Sequence, residues 1–303
     1  MSQDLEAELA REPADSLVVD SMLFGALAGA ERSGIPTADF FHTLYQVNRQ
    51  GGPGAIWDEG DLAATNETRQ GMGLVPIRRG GSLCDAVGLV LVMVPQAFDR
   101  PDSNIPENVH YVGPVLDRVP NRAAWDLPWP ADHPDPLVLI SFSTTYMAHE
   151  EVLQRCVGAL ARLPVRGLVT VGPSVDPAVL MSPANTAVRS YLDHQPVLPH
   201  IALVVTDAGL STVMSALTHG VPLLCLPMGR DQGANAERVE ACGAGRALSR
   251  DASIDQVRSA LRDLLESPNY RKGAQRMAGI IKREAKRSML VPLLEGLIPD
   301  EVA

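Results

Sequence analysis

The amino-acid sequence predicts an α/β fold with mostly parallel strands, because short apolar runs alternate with helical patterns along the chain. A length of 303 residues is typical of one large domain or two modest ones. Hydrophobic residues make up 46% and charged residues 20%, so we expect a packed core and exclude a disordered chain. Aromatic residues make up only 4%, which predicts a core of aliphatic side chains.

The first part of the chain contains three apolar runs of strand length, with helical or polar segments between them. Gly34 and Pro36 mark a turn before the second of these strands. The predicted order is strand, helix, strand, loop, helical or mixed segment and strand, over residues 17–20, 21–32, 37–41, 48–60, 61–80 and 86–94.

A proline-rich stretch then interrupts the pattern. Nine prolines lie between Pro95 and Pro136, and proline removes a backbone donor and fixes φ. This stretch therefore cannot be one continuous helix or one central strand. We place a domain boundary near residue 119, which gives domains over residues 1–118 and 119–303.

A regular α/β series follows the prolines. Apolar side chains recur on one side of the first helix of this series, at Val152, Leu153, Cys156, Val157 and Leu160. Ser253 is placed to cap a later helix. Strands are predicted at 137–142, 165–171, 201–206 and 222–226, and helices at 149–163, from the turn after Thr206 to His219, and at 233–242, 253–266 and 268–287.

Charge and cysteine content limit the classes of function. The formal net charge is −10, so a nucleic-acid site is not expected. Basic residues cluster only near the C-terminus, where helical spacing predicts a solvated face, at Arg271, Lys272, Arg276, Lys282, Arg283, Lys286 and Arg287. No metal-ligand spacing relates the cysteines, which we expect to be reduced and mostly buried: Cys84, Cys156, Cys225 and Cys242. No signal peptide is seen, which favours a cytoplasmic protein, with a peripheral position at the inner membrane face as an alternative.

The segment from Asp207 to Thr212 is predicted to turn from a strand into a helix. Gly209 allows a ligand to approach the backbone closely, and Ser211 and Thr212 begin the helix. Free N–H groups and the helix dipole favour a phosphate at such a position. Helix capping alone is the alternative reading of these hydroxyl groups.

Longer motifs accompany this turn in one order: Tyr191-Leu192-Asp193-His194, Val197-Leu198-Pro199-His200, Thr206 to Thr212, His219-Gly220-Val221-Pro222 and Leu226 to Gln232. Together they resemble the donor-site signature of the UDP-glycosyltransferase-like family, which includes bacterial macrolide and glycopeptidolipid glycosyltransferases. The resemblance covers about residues 100–290, including Val109 to Pro114. It implies two facing Rossmann-like domains (the GT-B fold), with the nucleotide sugar held by the C-terminal domain.

The resemblance also implies roles for individual residues. Tyr191 would stack on the base, with packing in the core as the alternative. His194 would contact the nucleoside, and the alternative is a solvated loop residue like His200. The diphosphate would lie at Gly209, Ser211 and Thr212. The sugar hydroxyls would meet Asp231 and Gln232, although Asp231 also suits a helix start. The serine-rich loop of the family corresponds to Ser141, Ser143 and Thr144, and helix capping is the alternative for the last two.

Two departures from the family affect the expected chemistry. Asp207 replaces a histidine that contacts the diphosphate, and its charge would repel that group by about 1 kcal/mol at 4 Å in water. The family's general base is a histidine near its N-terminus, and no histidine precedes His42 here. We expect His42 to line the acceptor cleft without replacing that base, since it lies in a different part of the family pattern. Asp20 is expected to cap a helix, with a place in the pocket as the alternative.

The resemblance implies an inverting transfer of a hexose from a UDP- or dTDP-sugar, as co-substrate and without another cofactor or metal, to a hydroxyl of a lipid, peptide or natural-product acceptor. The N-terminal domain corresponds to the later part of the family's domain, so we expect a mis-assigned start, a gene fragment or a protein partner that covers the incomplete domain. An inactive fragment or non-catalytic partner that retains the donor domain is the alternative. A sugar-nucleotide epimerase is a third reading, for which we find no acid/base set.

Overall fold

The structure is a computed structural model, and it describes residues 2–51, 55, 59–79, 82–85, 87–115, 128–130, 132–142 and 147–298. The chain divides into two compact units, residues 1–115 with 283–303 and residues 116–282. Each unit contains a parallel sheet, as the alternation of strand and helix patterns predicts.

Unit 1 carries a four-stranded parallel sheet in the order β1-β2-β3-β4. Its strands are β1 Leu17–Asp20, β2 Thr37–Phe41, β3 Leu89–Val92 and β4 Val109–Tyr111. Its helices are α1 Ser2–Arg11, α2 Phe24–Ser33, α3 Tyr45–Gln50, α4 Glu59–Gly71, α5 Ser82–Asp85, α6 Gln96–Asp99 and α12 Leu290–Glu295.

Residues 283–303 group with unit 1, whereas the predicted division was 1–118 and 119–303. The reason is apolar packing: the leucines of α12 and its end lie against buried side chains of β2, β3 and Val112. The Ser288 hydroxyl also donates a hydrogen bond to the Val112 carbonyl at 2.9 Å. The packed leucines are Leu290, Leu293, Leu294 and Leu297.

Unit 2 carries a six-stranded parallel sheet in the order β10-β9-β8-β5-β6-β7. Its strands are β5 Leu137–Ser141, β6 Arg166–Thr170, β7 Thr186–Arg189, β8 Ile201–Thr206, β9 Leu223–Cys225 and β10 Gly245–Ala247. Helices α7 Glu150–Leu160, α8 Leu210–Thr218, α9 Gln232–Ala241, α10 Ile254–Glu266 and α11 Pro268–Lys286 follow in chain order.

The strand order of unit 2 reverses between β5 and β8, because the chain builds outwards from β5 to one edge and then from β8 to the other. This is the doubly wound order in which ligands bind beyond the carboxyl ends of the strands, at the point of reversal. All five residues of β5 are buried, as befits a central strand covered on both faces. This strand order therefore predicts a ligand-binding site at the carboxyl ends of β5 and β8.

The helices around this sheet confirm the sequence patterns. The five apolar residues predicted on one side of α7 are all buried. Ser253 caps α10 in a capping box: its hydroxyl accepts from the Gln256 N–H, and the Gln256 side chain accepts from the Ser253 N–H at 2.8 Å. Among the described residues, no helix combines the length and apolar character that a membrane crossing requires.

One basic side chain departs from the expected solvated face. Arg271 donates to the carbonyl groups of Gly220, Ile201 and Ala202 at 3.1, 3.2 and 2.6 Å, and so ties α11 to the start of β8. The other six residues of that basic cluster are exposed. All four cysteines are free thiols, three of them buried and Cys242 partly exposed, as predicted.

Candidate functional site

A cavity of about 460 Å³ opens at the carboxyl ends of β5, β6 and β8. Its walls include the last residues of two strands, Ser141 and Thr170, and Asp207 directly after β8. The cavity therefore lies where the strand order of unit 2 reverses. Six of the residues predicted for the donor site line it: Tyr191, His194, Asp207, Gly209, Ser211 and Thr212.

The turn between β8 and α8 forms one wall of the cavity. Its left-handed residue is Ala208, with φ of 68°, whereas Gly209 has an ordinary φ of −56°. A Cβ on Gly209 would meet the Asp207 carboxylate at 3.5 Å, an ordinary van der Waals distance, so neither backbone strain nor crowding requires a glycine here. Ser211 and Thr212 occupy the first turn of α8, where N–H groups and the helix dipole favour an anion.

Asp207 is almost fully buried and is surrounded by donors. Its Oδ1 accepts hydrogen bonds from the Thr206 hydroxyl and the Gly209 N–H, both at 3.2 Å. Its Oδ2 accepts from Nε2 of Gln232 at 2.8 Å. Donors of this kind stabilise the charged carboxylate. Asp207 also occupies the Gly209 N–H, a backbone donor at the place where the diphosphate was predicted.

Gln232 is buried, and its side-chain amide forms hydrogen bonds within the protein. Besides the bond to Asp207, its Oε1 accepts from the N–H groups of Met228 and Gly229 at 2.7 and 3.1 Å. Its Nε2 also lies 3.5 Å from the sulfur of Met147. With these bonds Gln232 holds the loop before α9 against Asp207, since a buried amide must satisfy its own donors and acceptors.

Asp231 precedes α9 and is partly exposed. Its Oδ2 accepts from Nδ2 of Asn235 at 3.0 Å, and the same nitrogen donates to the Ala208 carbonyl at 3.1 Å. Asp231 and Gln232 are therefore not among the described residues that line the cavity. Gln232 supports the cavity wall through its bond to Asp207, and Asp231 holds Asn235, which donates to the Ala208 carbonyl.

The opposite end of the cavity carries the two residues predicted for the base. Tyr191 is 77% exposed, which excludes the alternative that it packs in the core. His194 is partly buried, and its Nε2 lies 3.0 Å from the Thr170 hydroxyl. Burial lowers the pKa of His194, with a smaller opposing effect from the charge of Asp193. His194 is therefore a neutral hydrogen-bonding group at pH 7, not a solvated loop residue.

The charge of the cavity wall is negative or neutral. Asp193 and Asp207 line it, and no lysine or arginine occurs among the lining residues that the structure describes. A bound diphosphate must then be held by hydroxyl groups and by the N–H groups of α8.

Sequence reasoning missed several residues of the cavity wall. Thr170 ends β6, and the rule that ligands bind beyond the carboxyl ends of strands would have found it. Ser190 and Ser215 also line the cavity and carry no motif of their own. Ser143 and Thr144 lie outside the described residues, although Ser141 before them lines the cavity.

In unit 1, Asp20 and His42 lie together. Oδ2 of Asp20 is 3.2 Å from Nδ1 of His42, and Oδ1 of Asp20 accepts from the Met22 N–H at 2.8 Å. The expected helix cap is wrong in detail, because α2 begins after Leu23 and no side chain caps it. The Asp20 carboxylate instead closes a turn and meets the imidazole.

Comparison with known proteins agrees with this architecture. The family model described as erythromycin biosynthesis protein CIII-like, C-terminal domain, matches residues 154–295. The chain is similar to 4'-demethylrebeccamycin synthase of Lentzea aerocolonigenes, with 30% identity over 97% of this chain and 76% of that protein.

Solved structures share the fold. The glycotransferase of kitacinnamycin superposes with a TM-score of 0.80 at 22% identity, over 99% of this chain and 80% of that one. The glycosyltransferase VinC in complex with dTDP gives 0.71 at 22% identity, over 98% and 75%. With the doubly wound donor-side sheet, these similarities show that the chain belongs to the macrolide type of the UDP-glycosyltransferase-like family, with the GT-B fold.

Proposed function

We propose that this chain binds a UDP- or dTDP-hexose in the cavity of unit 2 and transfers the hexose to a hydroxyl group with inversion. The observation that carries the proposal is the position of the cavity, at the reversal of strand order and beside the first turn of α8. The chemistry of the two ends of the cavity also matches the two parts of a nucleoside diphosphate. An aromatic ring and a neutral imidazole occupy one end, and hydroxyl groups at a helix start occupy the other.

At the nucleoside end, Tyr191 offers an exposed ring for stacking on the base. His194 and Thr170 form a hydrogen-bonded pair that can donate to or accept from the base or the ribose. Thymine and uracil both present carbonyl acceptors and an N–H donor, so this pair suits either. A solved relative, VinC, holds dTDP, which supports dTDP for this chain.

At the phosphate end, the hydroxyl groups of Ser211 and Thr212 and the N–H groups of the first turn of α8 would hold the diphosphate. Asp207 carries negative charge at the same end. At an effective dielectric constant of 20, a unit charge 4 Å away adds about 4 kcal/mol of repulsion. Asp207 therefore weakens donor binding, while its bonds to Gln232 and Gly209 hold the turn in shape.

At the sugar end, Asp231 keeps a partly exposed carboxylate that can accept from sugar hydroxyl groups, whereas Gln232 supports Asp207. Ser143 and Thr144 remain proposed contacts of the donor, by the resemblance of the loop after β5. The acceptor is proposed to be a hydroxyl-bearing natural product, in line with the names of the relatives.

Calorimetric titration of the whole chain with UDP, dTDP, GDP and ADP tests the donor site. We expect dTDP or UDP to bind more tightly than GDP and ADP, and Asp207→Asn to bind the same nucleotide more tightly than the native chain. Asp193→Asn is the matched control, since it removes a lining carboxylate outside the phosphate end. Failure of every nucleotide to bind both the native chain and Asp207→Asn would refute the donor site.

A further inference from the structure

The lysines of this protein are confined to one helix. The chain contains only three lysines among its 26 basic residues, Lys272, Lys282 and Lys286, and all three lie on α11. Arg276 and Arg283 lie on the same helix and are exposed, as the three lysines are. A protein with a formal net charge of −10 thus concentrates positive charge on a single helix.

These five basic side chains share one face of α11, which we call the basic face. At 3.6 residues per turn, their positions fall within about 120° of the helix circumference and extend for about 21 Å along its axis. The only acid of the helix, Glu284, lies away from this face and against Gly113. The buried residues of the helix lie on the side opposite the basic face: Gly273, Ala274, Met277, Ala278 and Ile281.

The charges of the basic face are not balanced by carboxylates of the described structure. No ion pair between described residues involves a basic residue of α11, whereas seven arginines elsewhere pair with carboxylates. The seven are Arg11, Arg32, Arg49, Arg69, Arg155, Arg246 and Arg258. A lysine ammonium group is a hydrated point charge on a flexible stem, which suits a diffuse negative surface. The basic face is therefore open to an external anionic partner.

Exposed apolar side chains follow the basic face along the chain. Met289 and Val291 are 54% and 60% exposed. Met289 comes three residues after Lys286, a span that reaches at most about 11 Å. The Ser288 hydroxyl, which donates to the Val112 carbonyl at 2.9 Å, fixes the turn between them. Basic and aliphatic side chains are thus presented close together, a combination that adsorbs to anionic bilayers.

We propose that the basic face of α11, with Met289 and Val291 beside its end, binds the surface of an anionic lipid bilayer. The lysine and arginine side chains meet the lipid phosphates, and the two aliphatic side chains enter the head-group region. A nucleic acid would offer the phosphates but no apolar layer for these two side chains. Adsorption of this kind needs no helix that crosses the membrane, and none of the described helices could cross one.

Co-sedimentation of the whole chain with lipid vesicles tests this surface. We expect binding to vesicles of equal parts phosphatidylcholine and phosphatidylglycerol, none to phosphatidylcholine alone, and release as NaCl rises from about 0.05 to 0.5 M. The triple variant Lys272→Gln, Lys282→Gln, Lys286→Gln should bind about 10- to 100-fold more weakly, since each basic residue near such a surface contributes about fivefold. Met289→Ser with Val291→Ser should weaken binding about 5- to 10-fold.

The matched control replaces three exposed arginines elsewhere in the chain, as Arg78→Gln, Arg162→Gln and Arg250→Gln, and so changes the net charge equally. It should bind the anionic vesicles as the native chain does. Thermal melts should not change in any of these variants, because the replaced side chains are exposed. Equal losses in the control and the lysine variant would overturn the role of α11. Equal binding to both kinds of vesicle, or none to the anionic ones, would overturn the proposal itself.

Lysine labelling locates the contact directly. Because every lysine lies on α11, acetylation by an N-hydroxysuccinimide ester, read by peptide mass spectrometry, reports on the basic face. Anionic vesicles should slow the acetylation of all three lysines several-fold, and phosphatidylcholine vesicles should not. Equal protection by a short DNA duplex would overturn the choice of a bilayer in favour of a nucleic acid. Protection that grows with protein concentration in the absence of lipid would overturn it in favour of a second copy of the chain.

Discussion

Two neighbouring turns of unit 2 differ in what their side chains contact. One joins β8 to α8 around Asp207, and the other joins β9 to α9 around Asp231 and Gln232. Both follow neighbouring parallel strands, both end at a helix start, and both were predicted to hold the donor. The first lines the cavity, whereas the second directs its buried amide to the first. The two turns thus share a position on the sheet but differ in their internal hydrogen bonds.

The second turn works as a support for the first. Gln232 donates to Asp207, and Asn235, one turn into α9, donates to the Ala208 carbonyl. Since Gln232 and Asn235 are both buried, these bonds are shielded from water. Changes in the supporting turn should therefore act on stability, and changes in the lining turn on nucleotide affinity.

Loss of the supporting amide should have the largest effect. Gln232→Leu leaves the buried Asp207 carboxylate without its 2.8 Å donor and two backbone N–H groups without their acceptor. We expect the free energy of unfolding to fall by about 2–3 kcal/mol, measured by denaturant titration. In the double variant with Asp207→Ala the added cost of Gln232→Leu should shrink. An unchanged cost would mean that Asp207 does not depend on Gln232.

Removal of the stacking ring should come next. Tyr191→Ala is expected to weaken nucleotide binding by about 1–2 kcal/mol, roughly 5- to 30-fold, because base stacking on an aromatic ring is lost. The side chain is 77% exposed, so stability should not change. Calorimetry and a thermal melt measure the two quantities. Tyr191→Phe should behave as the native chain, and a large loss in that variant would point to the hydroxyl group instead of the ring.

The lining turn should respond more modestly. Ser211→Ala removes one hydroxyl from the phosphate end, which we expect to cost about 1 kcal/mol in nucleotide affinity, roughly fivefold, with unchanged stability. Thr218→Val, in the last turn of the same helix α8, is the control and should leave affinity unchanged. If instead Ser211→Ala lowers stability and spares affinity, the lining turn is structural and the comparison between the two turns fails.

The smallest effect concerns pH. Burial lowers the pKa of His194 in the folded protein, so between the folded and unfolded pKa values the unfolded chain binds more protons. The free energy of unfolding should therefore rise as the pH rises through this window and fall on acidification. His194→Gln should flatten that slope in denaturant titrations between about pH 5 and pH 8. An unchanged slope in the variant would mean that a group other than His194 causes the pH dependence.

Much of this fold could be predicted from the sequence because its signals are local. Residues 17–20, 37–41 and 201–206 form strands with the predicted bounds, since each is a short apolar run closed by turn residues. The cap at Ser253 and the buried side of α7 were likewise confirmed. Strands β4, β7 and β10 were missed, because three or four residues with mixed burial carry too little periodicity.

The candidate site was less predictable, since its details depend on contacts between distant residues. The motifs around Tyr191 and Ser211 predicted residues that line the cavity. The hydrogen bond between Gln232 and Asp207, however, joins residues 25 positions apart, and no local sequence pattern predicts it. The partnership of Asp20 with His42 depends in the same way on two strands lying side by side.

The left-handed backbone of Ala208 has a further consequence, for the entropy of binding. A residue with a Cβ costs about 1–2 kcal/mol in this conformation, a cost that glycine avoids. Alanine, however, has fewer conformations than glycine in the unfolded chain, and here hydrogen bonds from Asn235 and to Thr206 hold it. The turn is thus set before any nucleotide arrives, and binding need not order it.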